Sequence, residues 1–222
     1  MRGTMLRLPL LVAGVALAIG ARAWGYPDFA RQTKLACATC HVNPAGGPEL
    51  SAAGKTYKAD NTKVPGKSVA GADYAGSNKC RMCHLPQYRT WQTTKHAKAS
   101  EMLKATPDST VAAIAAKLNV EMKGAAAEND ACVSCHVTGF HLPGGYPAAD
   151  SAKNVALQNV TCEACHGPGS KHILAPMAEK KKLINRRVTA NMCMQCHTPV
   201  MSPKFNFEEY KKRGVHLLKA GG

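Results

Sequence analysis

Ten cysteines in this chain fall into five pairs, and a histidine follows every pair. The copies are Cys37-Ala-Thr-Cys40-His41, Cys80-Arg-Met-Cys83-His84, Cys132-Val-Ser-Cys135-His136, Cys162-Glu-Ala-Cys165-His166 and Cys193-Met-Gln-Cys196-His197. Two thiols three positions apart can add across the two vinyl groups of one porphyrin. The histidine that follows then swings beneath the ring and binds its iron as the proximal ligand. The pattern therefore specifies five covalently attached haem c groups. Its rivals explain less. A thioredoxin-like pair is usually single and sits in an α/β unit. A four-cysteine zinc site has no use for a trailing histidine. Five local disulfides would suit an oxidising compartment but leave five histidines without a role.

Five irons have ten axial positions, and the motif histidines fill five. Four histidines remain, His96, His141, His172 and His216, and each is a candidate distal ligand. If all four coordinate, one iron still lacks a second imidazole. That iron has an open face, or takes a methionine (Met102, Met122, Met177 and Met201 lie outside the motifs), or borrows a histidine from another subunit. His141 follows His136 by five residues, too close to reach the far face of that haem, which points it to another iron such as that of His41.

The elements that carry these ligands read as helix and loop. Leu85–Leu103 reads as a helix with Pro86 in its first turn. Asp108-Ser109 can start another through Val111, Ile114 and Leu118, and Phe205–His216 reads as a short amphipathic one. The Gly139–Pro147 stretch is turn-rich, and no alternating apolar run argues for a sheet. The expectation is a mainly α, small helix-and-loop multihaem cytochrome c fold built around a closely packed haem cluster, with little or no sheet.

The organisation along the chain is read as a signal peptide over 1–23, a single-haem segment over 24–66 and a tetrahaem domain over 67–222. Arg2 and Arg7, the apolar run Leu8–Ile19 and Ala21-Arg22-Ala23 form the export signal. The apolar run is too short to span a bilayer, so no transmembrane segment is expected after cleavage. Without the signal about 40 residues serve each haem, and aromatic residues make up only 5% of the chain. The macrocycles must then supply most of the core, which links haem attachment to folding.

The formal charge of +15 invites a nucleic-acid reading. Taking Arg2, Arg7 and Arg22 from the 29 basic residues leaves 26 against 14 acidic, a net +12. Ten haem propionates would offset most of that, and no nucleic-acid module with interleaved aromatics is present. No nucleic-acid partner is expected. A residual basic patch suits an acidic redox partner.

The segment 74–216 resembles the cytochrome c-554 family of tetrahaem c-type cytochromes, first associated with hydroxylamine oxidation in ammonia-oxidising bacteria. The matching pieces are Tyr-Ala-Gly-Ser-Asn-Lys-Cys-Arg-Met-Cys-His from Tyr74, Thr94-Lys95-His96, Cys-Val-Ser-Cys-His-Val-Thr-Gly-Phe from Cys132, and Cys-Glu-Ala-Cys-His-Gly-Pro-Gly-Ser-Lys-His from Cys162. The resemblance implies three irons with two histidines each and one five-coordinate iron, that of His136. It implies His172 opposite His84, His216 opposite His166 and His96 opposite His197. The haem of Cys37, Cys40 and His41 is an addition to that pattern.

The expected function is a periplasmic pentahaem electron carrier. Its partners would be a donor oxidoreductase or quinol-linked cytochrome and an acceptor cytochrome or reductase. Two alternatives stand beside it. One is a haem enzyme acting on nitric oxide, nitrite or hydroxylamine at the five-coordinate iron. The other is a subunit of an extracellular cytochrome filament.

Overall fold

Short helices separated by proline, glycine and asparagine turns dominate the chain, as a computed structural model shows for residues 27–216. The expected signal peptide and its cleavage site lie outside the described residues. In order, the helices are α1 (Pro27–Thr33), α2 (Cys37–Cys40), α3 (Ala52–Ala59), α4 (Ser77–Cys80), α5 (Leu85–Gln92), α6 (Ala99–Ala105) and α7 (Asp108–Leu118). They continue with α8 (Asp130–Val133), α9 (Ser151–Ala156), α10 (Cys162–His166), α11 (Ser170–Leu174), α12 (Met177–Lys180), α13 (Ala190–Cys193) and α14 (Phe207–Arg213). Among the described residues there is no sheet. Two isolated bridges, His41 with Leu50 and Val137 with Gln158, are the nearest approach to one. No described helix is long and apolar enough to cross a membrane.

Side-chain caps set several helix starts. Ser51 accepts from the Gly54 amide, Asp150 from Lys153 and Asn206 from Glu209, each satisfying a donor that has no intrahelical partner. The helix expected over Leu85–Leu103 is interrupted. Thr93 Oγ1 donates to the Thr90 carbonyl at 2.7 Å and Thr94 Oγ1 to Trp91 at 2.7 Å. These hydroxyls close the last turn of α5 on itself. The chain then makes one 3₁₀ turn, His96–Lys98, before α6. The break aims His96 in a direction a continuous helix would not.

The packed interior is thin. Eleven described apolar residues are buried and five of them are alanine, so the protein supplies little bulk to its own core. Val133, Val137 and Phe140 cluster with Leu103 and Tyr146, and Leu157 is fully buried. A polar knot ties these pieces together. Thr138 Oγ1 donates to the Asn159 carbonyl at 2.8 Å and meets the Thr161 hydroxyl at 2.9 Å. The Ser100 amide donates to Asn159 Oδ1 at 2.7 Å, and Ser100 Oγ donates to the His136 carbonyl at 2.9 Å. Because Thr138 and Thr161 are buried, these bonds lock the third motif to the fourth with little freedom.

The N-terminal segment packs on the rest. Asn43 Nδ2 donates to the Ile184 carbonyl at 2.9 Å, and Gly47 lies against Asn185. Gly167 has φ +76°, and a Cβ there would strike the Ala45 carbonyl, so only glycine allows this approach.

Candidate haem sites

Each motif starts on a short helix: α2 and α10 carry it through the second cysteine, whereas α4, α8 and α13 end at or just after the first cysteine and a turn carries the rest. The histidine amide closes the turn on the first cysteine's carbonyl at 2.9 Å in the first, second and fifth motifs.

The imidazoles are oriented by what their Nδ1 atoms face. Nδ1 of His136 lies 2.6 Å from the Ala99 carbonyl, that of His166 2.7 Å from Asn185 and that of His172 2.9 Å from Lys180. A carbonyl only accepts, so Nδ1 carries the proton and Nε2 presents a bare lone pair, the form that binds iron. His197 Nδ1 meets Ser202 Oγ at 2.9 Å, and His96 hydrogen-bonds the Gly214 backbone. Nδ1 of His41 is buried and makes no hydrogen bond of good geometry, although the Gly47 and Glu49 backbone lies close by.

Six of the histidines face one another in pairs. His84 and His172 have ring centroids 6.2 Å apart with 23° between planes, His166 and His216 lie at 6.1 Å and 23°, and His96 and His197 at 6.0 Å and 70°. With a metal–imidazole bond of roughly 2.0–2.1 Å and a ring centre about 1.1 Å behind its nitrogen, two rings sharing one ion sit roughly 6 Å apart. Each gap therefore has room for one metal ion between two imidazoles. His136 is placed without one of these six as its partner. His141 packs its ring on Phe140 at 4.0 Å and turns Nε2 to Asp130 at 3.3 Å on the exposed surface.

Burial holds several imidazoles neutral. The pKa values of His41, His96, His166 and His197 are lowered, mainly by desolvation. For His166 the nearby His216, His84 and His172 add to the effect, and for His197 the nearby His96 does. The neutral ring is the ligating form, so burial prepares these side chains for a metal.

One cavity of about 1150 Å³ joins the second to fifth motifs, with Cys80, His84, Cys132, Cys135, His136, Cys162, Cys165, His166, Cys193, Cys196, His197, His96 and His216 in its walls. An ordinary small-ligand pocket is roughly 300–1,000 Å³. The lining includes Arg31, Lys95, Arg186, Arg187, Lys211 and Arg213 and no described carboxylate. Apolar walls with a cationic fringe suit flat macrocycles that carry propionates. The donor chemistry, the ring gaps and the space all fit haem.

The thiols show which motifs adjoin. Cys80 lies beside Cys162, and Cys135 beside Cys196, near enough for each thiol to act on the other. Cys165 lies close enough to Cys193 for their charges to interact. Cys37 bears in the same way on buried Tyr74. Glu163, inside the fourth motif, is 3% exposed, and its charge bears on Tyr74, Cys80 and Cys162. Its carboxylate accepts from the Ala75, Gly76 and Gly169 amides at 2.7–3.1 Å. Desolvation raises its pKa, and those three amides pull it back down. Glu163, Ser100, Thr138, Asn159 and Asn185 all position the site, and no spacing in the sequence marks them.

Comparison with known proteins agrees with this chemistry. Residues 79–167 match the family described as cytochrome c554 and c-prime. Cytochrome c-554 of Nitrosomonas europaea is 43% identical over 109 residues, which span 49% of this chain and 44% of that protein. The chain thus aligns with less than half the length of that curated relative. The reduced-state structure of Nitrosomonas europaea cytochrome c554 superposes with a TM-score of 0.51 at 27% identity, covering 66% of this chain and 86% of that one. The paired cysteines, inward-facing imidazoles and shared cavity thus find their place: the chain is a multihaem c-type cytochrome that resembles the cytochrome c554 family over residues 79–167.

Proposed function

We propose that the chain carries five covalently attached haem c groups and relays electrons between redox proteins outside the cytoplasm. When bound, the haem iron supplies one-electron redox chemistry. The chain's own residues supply the order of the relay. Cys80 adjoins Cys162, Cys165 adjoins Cys193, and Cys196 adjoins Cys135. Those three contacts string the second, fourth, fifth and third motifs into one line, and this is the observation that carries the reading. Cys37, beside Tyr74, sets the N-terminal motif against the same body. The partners are a donor oxidoreductase or quinol-linked cytochrome and an acceptor cytochrome or reductase, guided by the basic excess of the chain.

In this reading His84 with His172, His166 with His216, and His96 with His197 would each hold one iron, His136 would hold an iron without a second histidine, and His41 would hold that of the N-terminal haem. For His141 to complete that iron, its Nε2 must leave Asp130.

Mass spectrometry and electron paramagnetic resonance on the oxidised, exported protein test this directly. The expected mass is that of the processed chain plus five haems, and the expected spectrum has at least three low-spin irons and one high-spin iron. A colourless protein sinks the relay, and five low-spin irons sink the open face.

A further inference from the structure

α1 reaches into the cavity that the second to fifth motifs share. Among the described residues before Tyr74, Arg31 alone lines that cavity. Its Nε donates to the Phe140 carbonyl at 3.0 Å, which pins the guanidinium at the end of the stretch running on from the third motif. Phe140 packs with Val133 and Val137, which flank Cys135 and His136, and both Cys135 and Cys196 line the cavity that Arg31 enters. The N-terminal addition thus places a fixed, half-buried cation at a junction the tetrahaem portion builds without it.

We propose that Arg31 raises the reduction potentials of the two haem sites anchored at Cys132–Cys135 and Cys193–Cys196. The inference rests on the haem reading given under the proposed function. Uptake of one electron lowers the charge of a site by one, ferric to ferrous. A nearby positive charge favours the less positive state, and partial burial keeps salt from screening it. Arg31 then biases electrons toward the His136 end of the line. It acts on the metal through space and ligates nothing, so its role is one of positioning charge.

Spectroelectrochemical titration of the intact, haem-loaded protein tests this, with electron paramagnetic resonance to assign the His136 iron. In Arg31→Gln, at a fixed applied potential near the wild-type midpoints, the ferrous-to-ferric ratio of two haems is expected to fall about threefold or more. The others should hold. Arg31→Lys keeps the charge and is expected to stay within about a factor of two of wild type. Arg31→Met, which keeps the apolar stem, reads the same shift if Arg31→Gln loads poorly. Equal potentials in all variants overturn the proposal, as does a shift in Arg31→Lys as large as in Arg31→Gln. Absence of the haem bands from wild type would instead overturn the underlying reading, so the two failures are distinguishable.

Discussion

The histidines do two jobs at once, and their two ring nitrogens divide them. Nδ1 is spent on a carbonyl for His136, His166 and His172, which leaves Nε2 for iron. Replacing His172 by alanine removes one ring of the 6.2 Å pair with His84. One low-spin signal is expected to become high-spin while the other pairs hold, read by electron paramagnetic resonance. The proximal residues were legible from the motif, because attachment chemistry fixes their distance from the cysteines. The oxygens that orient them were not, because most are backbone carbonyls and a carbonyl carries no sequence signature.

At the scale of elements, short helices do the placing and turns decide where they aim. The break between α5 and α6 shows why periodicity alone misses this. The apolar pattern runs on through Leu103, but the hydroxyls of Thr93 and Thr94 satisfy the carbonyls that the next turn would have used. His96 therefore sits on its own 3₁₀ turn opposite His197. The stretch from Asp108 behaves as its sequence suggests, because Asn119 ends α7 in the left-handed region at φ 52°. The N-terminal segment depends on Gly167 in a comparable way. Gly167→Ala adds a Cβ against the Ala45 carbonyl at a φ that L side chains rarely adopt. It is expected to cost about 1–3 kcal/mol, seen as a lower thermal midpoint and faster proteolysis near residues 43–47.

Across the whole molecule, the protein is a wall around a space. Buried alanines, a small Val133–Val137–Phe140 cluster and exposed Met82, Leu174 and Met177 do not make a self-sufficient interior, whereas a cavity of about 1150 Å³ is lined by four of the five motifs. Chain made without haem attachment is expected to lose cooperative unfolding and to expand, measured by circular dichroism and hydrodynamic radius. The sequence by itself determined the chemistry: ten thiols at fixed local spacing, five histidines that follow them and a scarcity of large apolar side chains. Those are short-range or compositional properties. Only the tertiary structure decided which imidazoles face each other, that Cys80 adjoins Cys162 and Cys135 adjoins Cys196, and that Arg31 enters the cavity. Such contacts join residues dozens to more than a hundred positions apart, and a chain brings them together through backbone turns and packing that no local spacing encodes.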